Sequence, residues 1–243
     1  MNIIKLNAIA STNSFLKELS VAQKVENFTI VVTDNQVQGR GQRGNTWVTE
    51  SGKNLTFSMY VGDFDFNQYG FFLLNILVPI AIVEVLQKRQ VPNVAIKWPN
   101  DILAENKKIA GILIENSFKS TNEISSVIGI GLNVNQLLFE DLPQASSLLA
   151  LTGTVSDRDE LLEQIGKQIK DKVESLGQFS KETLWNAYHD LLFRKDKPST
   201  FLDRNNQHFV GIIRKVTEEG LLQIELEDEV FVNFETKQVK LLY

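Results

Sequence analysis

Four short stretches of the sequence gather residues that bind anions or shape a polar pocket. The first is Gly39-Arg40-Gly41-Gln42-Arg43-Gly44-Asn45-Thr46-Trp47. Its glycines let backbone approach a ligand closely. Arg40 and Arg43 bring forked, fixed positive charge suited to phosphate or carboxylate, and Trp47 offers a flat face for a nucleobase. The stretch also contains G-x-G-x-x-G, the spacing of a dinucleotide-binding turn, but that turn needs a helix starting at its third glycine. Here Asn45 to Gly52 is poor in helix formers and ends in glycine. The reading is a mobile anion-binding loop, weighed against a plain solvated loop. The second stretch, Ala95-Ile96-Lys97-Trp98-Pro99-Asn100-Asp101, sets a lysine in apolar surroundings, where an ammonium group is costly unless paired. Either Asp101 is its structural partner, or Lys97 faces a bound anion at a strand end beside a turn. In the third, Lys107-Lys108-Ile109-Ala110-Gly111-Ile112-Leu113-Ile114-Glu115, the glycine inside an apolar strand marks a bulge or a close approach of ligand to backbone. The fourth, Gly129-Ile130-Gly131-Leu132-Asn133-Val134-Asn135, repeats that signal and adds an amide, Asn133, able to hydrogen-bond a ligand.

The remaining composition narrows the chemistry. The 243 residues include no cysteine and two histidines, His189 and His208. That removes thiolate metal sites and cysteine nucleophiles and argues against a zinc centre or a His-dependent triad. A net charge of −5 argues against binding duplex DNA through a broad basic face, while leaving room for a local basic pocket. The N-terminus lacks the basic region and apolar run of a signal peptide. The most apolar stretch, 71–86, is interrupted by Asn75, Pro79 and Glu84 and is short for a membrane span of roughly 20 residues. The expected location is the cytoplasm.

These motifs need elements to hold them. Small polar residues at Ser11-Thr12-Asn13-Ser14 precede an apolar periodic run and predict a helix start. Strands are expected over 28–33 and 55–61, flanking a long loop at 34–52, followed by a buried helix over 71–89. A strand over 94–98, a hairpin of 101–104 with 109–115, and a strand over 125–135 come next. Helices are predicted over 157–176 and 180–193. After a polar break at Lys195-Asp196-Lys197-Pro198, short strands at 208–215, 221–225, 229–234 and 238–242 suggest a small β-barrel.

Singly these motifs are weak. In this order and at these separations, Ser11-Thr12-Asn13, Gln36, the 39–47 loop, Lys97-Trp98-Pro99-Asn100-Asp101, Lys108 to Glu115, and Gly129 to Asn133 resemble the biotin protein ligases. The resemblance covers about residues 5–190, and the C-terminal strands are similar to that family's small SH3-like domain. It implies an α+β fold: a class II synthetase-like mixed or antiparallel sheet flanked by helices over 1–194, then an SH3-like β-barrel over 195–243.

The implied reaction joins the carboxylate of biotin to AMP using ATP, releasing pyrophosphate. The biotinyl group then passes to a lysine of a biotin carboxyl carrier protein or domain of acetyl-CoA carboxylase or a related carboxylase. Mg²⁺ is implied as a bridge between the ATP phosphates. Such chemistry needs no cysteine, histidine or serine nucleophile, only the positioning of two anions and the offset of developing charge. By the resemblance, Ser11, Thr12, Asn13 and Gln36 line the biotin head pocket, where hydroxyl and amide groups suit the ureido ring. Arg40, Gly41 and Gln42 close over biotin and the adenylate. Arg43 and Trp47 address the nucleotide, with Trp47 over the adenine. Lys97 and Lys108 meet the carboxylate and α-phosphate, Gly111 gives backbone contacts, and Asn133 sits near ribose, phosphate or metal. Arg40, Lys97 and Lys108 are the implied catalytic set. Two departures stand out. Gln42 occupies a position that is basic in many family members and helps retain the adenylate. No room precedes Ser11 for the helix-turn-helix that makes some members repressors, so no DNA partner is expected. The assembly to test is a homodimer through a sheet edge or a strand surface. The competing readings are a lipoate or octanoate ligase or transferase on the same scaffold, and a non-catalytic biotin or nucleotide sensor.

Overall fold

Alternation along the central strands sets the architecture. On β3 (Leu55–Val61), Leu55, Phe57, Met59 and Val61 turn to one side of a sheet and join the main hydrophobic core, while Thr56, Ser58 and Tyr60 turn to the other. On β7 (Ile124–Leu132), Ile128, Ile130 and Leu132 enter the core and Gly129 and Gly131 face away. On β6 (Lys107–Phe118), Ala110, Ile112 and Ile114 face the core, and Gly111, Leu113 and Glu115 the opposite side. One face is thus built to pack and the other to receive. The computed structural model describes residues 1–62, 64–118, 124–140, 142–178 and 180–243, apart from the side chains of Arg43 and Asn67.

The sheet has seven strands in the order β1-β2-β3-β7-β6-β5-β4, completed by β1 (Ile3–Ile9), β2 (Ile30–Gln36), β4 (Ala95–Lys97) and β5 (Asp101–Ala104). Only β1 and β2 run parallel, so the sheet is mixed, as expected for the fold class. The packed face is covered by α3 (Leu73–Lys88), which contacts α5 (Arg158–Glu174) and α6 (Lys181–Asp190). Twelve residues of α3 are buried, so its sequence is apolar on nearly all sides rather than striped. Asp157 caps α5 by accepting from the backbone N–H of Asp159 and Glu160. The receiving face carries α1 (Thr12–Ala22), whose Leu16 packs with Val31, Tyr60 and Val127 in a smaller cluster. Two short helices, α2 (Phe66–Tyr69) and α4 (Leu148–Thr152), complete this part.

The C-terminal strands β8 (Pro198–Asp203), β9 (His208–Val216), β10 (Leu222–Glu225), β11 (Phe231–Phe234) and β12 (Val239–Leu242) form an antiparallel sheet in the order β11-β10-β9-β8-β12. The expected barrel does not close: among the described residues, the edge strands β11 and β12 share no ladder. β8 begins at the last residue of the polar break and runs through residues to which the sequence reading gives no element. Pro198 is tolerated as its first residue, where the missing N–H costs little, and Phe201 is fully buried. β1 also escaped the sequence reading; its Ile4 and Leu6 pack beneath α1 while Lys5 points outward. The two sheets are tied together. The Trp98 indole N–H donates to Gly220 O at 3.0 Å and the Gln144 side chain to Tyr243 O at 2.8 Å. Among the described residues, no helix is long and apolar enough to cross a membrane.

Candidate active site

The receiving face is carved by missing side chains. Thr56, Gly131 and Gly111 stand side by side across β3, β7 and β6, and Ser58, Gly129 and Leu113 form the next row. A Cβ on Gly131 would lie 2.3 Å from the Trp47 ring, and one on Gly129 would lie 2.3 Å from Asn13 Oδ1. The strand glycines therefore do mark close approach, and in this structure what approaches is the protein's own Trp47 and Asn13. The result is a cavity of about 230 Å³ over the sheet.

One wall comes from the start of α1. Ser11 is its N-cap, accepting the Ser14 N–H at 3.4 Å, so Thr12 and Asn13 are held in the first turn with their side chains over β3 and β7. Gln36 ends β2 opposite Ile9 of β1, and its Oε1 accepts the Thr12 N–H at 2.9 Å. The sequence places Gln36 in a loop; the parallel β1–β2 pairing extends the strand to it. Beneath them, buried Ser58 Oγ lies 2.7 Å from Thr12 Oγ1 and 2.5 Å from Asn13 Oδ1. Glu115 accepts from Asn13 Nδ2 at 2.9 Å and Lys17 Nζ at 3.2 Å. Burial raises the Glu115 pKa, but the Asn13 and Lys17 hydrogen bonds and the charges of Lys17 and Arg40 hold it below the ordinary carboxylate value.

The 39–47 segment closes the cavity as a narrow hairpin. The Gly41 N–H donates to Asn45 O at 2.7 Å and the Trp47 N–H to Gly39 O at 3.0 Å, and a bridge joins Arg40 to Thr46. Gly39 needs its bare backbone, because a Cβ there would lie 2.1 Å from Trp47 O. The hairpin lays the Trp47 indole on Gly111 and Gly131, where its Nε1 is buried with no hydrogen-bond partner among the described residues. The exposed Arg40 guanidinium donates to Ser14 Oγ at the head wall.

At the opposite end Asp101 gathers cations. Lys108 Nζ lies 2.6 Å from Asp101 Oδ1 and Lys97 Nζ 3.6 Å from Oδ2. The Lys108 ammonium also sits 5.5 Å from the Trp47 ring centroid. A cis peptide joins Trp98 to Pro99 in the turn that leads to Asp101.

The cavity brings together Ser11, Thr12, Asn13, Gln36, Arg40, Gly41, Gln42, Trp47, Lys108 and Gly111, as the sequence predicts. It does not bring Lys97 to the same wall. Lys97 lines a neighbouring cavity of about 330 Å³ between the two sheets, which shares Asn45, Pro99, Thr236 and Lys237 with the first. Asn133 lines neither cavity: it is 4% exposed, with its Nδ2 bonded to Ser146 O at 3.0 Å and its backbone N–H to Ile109 O at 2.8 Å. Its side chain is held within the fold, beside the glycines of β7. The Arg43 side chain lies outside the described residues. Sequence reasoning missed Ser58, Thr56, Asn45 and the pair Thr236-Lys237 of the C-terminal sheet. Thr56 and Ser58 alternate with the core residues of β3, a readable signal; the arrival of Thr236 and Lys237 depends on how the sheets dock.

Residues 6–135 match the model of the biotin/lipoate A/B protein ligase family. The chain is 30% identical over 232 residues to the bifunctional ligase/repressor BirA of Salmonella typhimurium, covering 92% of this chain and 69% of that protein. It is 28% identical over 166 residues to the biotin–[acetyl-CoA-carboxylase] ligase of Mycobacterium tuberculosis, covering 67% of this chain and 60% of that one. The structure is similar to the biotin protein ligase of Aquifex aeolicus in complex with biotin and ATP, with a TM-score of 0.80 and 25% identity over 99% of this chain and 98% of that one.

Proposed function

The chain belongs to the biotin/lipoate A/B protein ligase family, and from that premise we propose that it activates biotin with ATP and transfers it to a carrier lysine. The observation that carries the reading is the polarity of the cavity. One end presents the hydroxyls and amides of Ser11, Thr12 and Gln36, and the other the ammonium group of Lys108 beside Asp101. A ureido ring needs both donors and acceptors, and a carboxylate meeting a phosphate needs cations. A lipoyl or octanoyl chain carries no such head group and asks for an apolar tunnel instead.

In the first step a biotin carboxylate oxygen bonds to the α-phosphorus and pyrophosphate leaves. In the second, the carrier lysine's amine attacks the acyl carbon and AMP leaves. Lys108 and Arg40 offset the charge where carboxylate and α-phosphate meet, and Lys97, from the adjoining cavity, faces the departing pyrophosphate. Trp47 forms the cover for the adenine and, with Gly41 and Gln42, excludes water from the mixed anhydride. Arg43 is assigned to the nucleotide from sequence alone. Among the described residues no three metal-ligating side chains cluster. Mg²⁺ commonly uses few protein carboxylates and several phosphate oxygens, so the donor set fits a metal carried on ATP, with Asp101 as the nearby carboxylate. When bound, the ion neutralises phosphate charge. The carrier is the biotin-accepting domain of acetyl-CoA carboxylase or a related carboxylase. The reading divides the chain at 194/195, places it in the cytoplasm and assigns it no DNA partner.

The test is ATP–pyrophosphate exchange with Mg²⁺, run with biotin, lipoate, octanoate and no acid. Exchange with biotin alone is expected. Exchange driven by lipoate or octanoate instead would reassign the substrate, and binding without exchange would make the protein a sensor.

A further inference from the structure

The Lys97 ammonium stands between a carboxylate and an aromatic ring. Asp101 Oδ2 lies 3.6 Å from it, an ion pair without a hydrogen bond, and the other oxygen of that carboxylate already binds Lys108 at 2.6 Å. On its other side the ammonium overlies the Tyr243 ring, 5.1 Å from the centroid. That ring is fixed from several directions. It follows β12, which pairs with β8, and the Gln144 side chain donates to its carbonyl at 2.8 Å. Phe193 meets it edge-on, with centroids 5.1 Å apart and planes at 68°. The Phe193 N–H in turn donates to Ile96 O at 2.7 Å, so the support of the ring is tied to the residue before Lys97. The Lys97 side chain is 23% exposed, and cation–π attraction grows as water is withdrawn. Lys237 and Lys240 line the same cavity, with no carboxylate among its described lining residues.

A carboxylate in full contact with Lys97 would neutralise it, and an arriving phosphate would have to break that bond. A ring face attracts the ammonium through its quadrupole and takes up none of its charge. We propose that Tyr243 is a positioning residue: its ring holds the Lys97 ammonium off Asp101, where the cation stays available to a triphosphate. The proposal deepens the ligase reading and rests on it. The cation belongs to β4, while the group that positions it belongs to the C-terminal sheet. Without the ring, Lys97 closes on Asp101 and competes with Lys108 for it.

The experiment measures kcat, KM for ATP and KM for biotin by pyrophosphate exchange in Tyr243→Leu and Tyr243→Phe, each alone and combined with Lys97→Ala. Tyr243→Leu keeps apolar bulk and removes the ring face. KM for ATP should rise about fivefold, with kcat and KM for biotin within about twofold. Tyr243→Phe returns the face and should restore KM for ATP. In the Lys97→Ala background Tyr243→Leu should add nothing, because its effect passes through the lysine. A ring that merely docks the C-terminal sheet would raise KM equally in both backgrounds. That result overturns the proposal, as does an unchanged KM for ATP in folded Tyr243→Leu. Should Tyr243→Leu not fold, Phe193→Leu takes its place by removing the edge-on support, with the same selective rise expected and the same two results against it. A second measurement needs no turnover. The Lys97 ε-methylene protons should resonate upfield under the ring current in the unsubstituted protein and in Tyr243→Phe, and return in Tyr243→Leu. Ordinary shifts in the unsubstituted protein overturn the contact and the proposal with it. Absence of biotin-dependent exchange in the unsubstituted protein overturns the ligase reading instead, so the two failures are distinct.

Discussion

Asp101 holds two ammonium groups, and the unequal grip matters. Lys108 is bonded at 2.6 Å inside the main cavity; Lys97 stands off at 3.6 Å and lines the neighbouring one, its nitrogen 5.1 Å from the centroid of the Tyr243 ring. The carboxylate keeps positive charge in place without a ligand, and an arriving anion can take over either partner. On the proposed function Lys108 meets charge that develops at the α-phosphate, and such donors are worth about 10²–10³ in rate. Lys108→Ala should therefore lower kcat for exchange by about 10²-fold. Lys97→Ala should act mainly through KM for ATP, because the proposed function sets its cation at the leaving end of the triphosphate. Equal kcat losses in both variants would show that the two lysines share one task and that the division between cavities is without consequence.

At the scale of elements, the site is a flat patch of sheet made by small residues in register. Thr56, Gly131 and Gly111 give the Trp47 indole its seat, and the hairpin of 39–47 is anchored by that seat as much as by its own hydrogen bonds. Gly131→Ala would drive a methyl into the ring at 2.3 Å. We expect tryptic cleavage after Arg40 to speed up about tenfold as the hairpin lifts, with stability lower by about 1–3 kcal/mol. Unchanged cleavage would mean that the hairpin holds without the indole. The strand glycines were legible in the sequence as places of close approach, because glycine within an apolar strand has few other reasons to be there. Their visitors were not, since Asn13 and Trp47 reach them from more than 60 residues away. β1 and β8 were missed for the same kind of reason: one short strand carries polar residues on its outer face, the other begins with proline, and both become strands through their partners. A further contact joins α6 to the C-terminal sheet. The His189 ring on α6 accepts the Val216 N–H of β9 at 3.1 Å. Burial holds the imidazole below its usual 6.5, outweighing the raising effect of the Val216 carbonyl oxygen 3.0 Å from the same ring nitrogen. The unfolded chain thus binds a proton more readily, so this stability is complete above about 6.5 and is lost as pH falls from there through the folded value. Differential scanning at pH ~7.5 and ~5.5 should show a smaller drop in Tm for His189→Gln than for the unsubstituted protein.

For the whole molecule, the question is how firmly the C-terminal sheet is attached, because it supplies Thr236 and Lys237 to both cavities. The attachment has one narrow point. Gly220, in the β9–β10 turn, has φ +85°, and a Cβ there would lie 2.4 Å from the Phe72 ring. Phe72 in turn stacks on Trp185 of α6 at 6.1 Å, and the Gly220 carbonyl accepts from Trp98, next to Lys97. A single backbone position thus touches the sheet end that carries the catalytic turn and the aromatic side of the helical layer. Gly220→Ala combines a left-handed backbone with a steric clash, for about 2 kcal/mol or more, or roughly 4–8 °C in Tm for a chain of this size. If the turn only stabilises, kinetics below the transition should be unchanged. If it also sets the register of the second cavity, KM for ATP should rise while KM for biotin stays put, because the biotin head wall is built from α1, β2 and β3 and does not touch the C-terminal sheet. The second outcome is expected, since Trp98 precedes Pro99, which both cavities share. A matching rise in both KM values would instead mean that the two ends of the site move as one body.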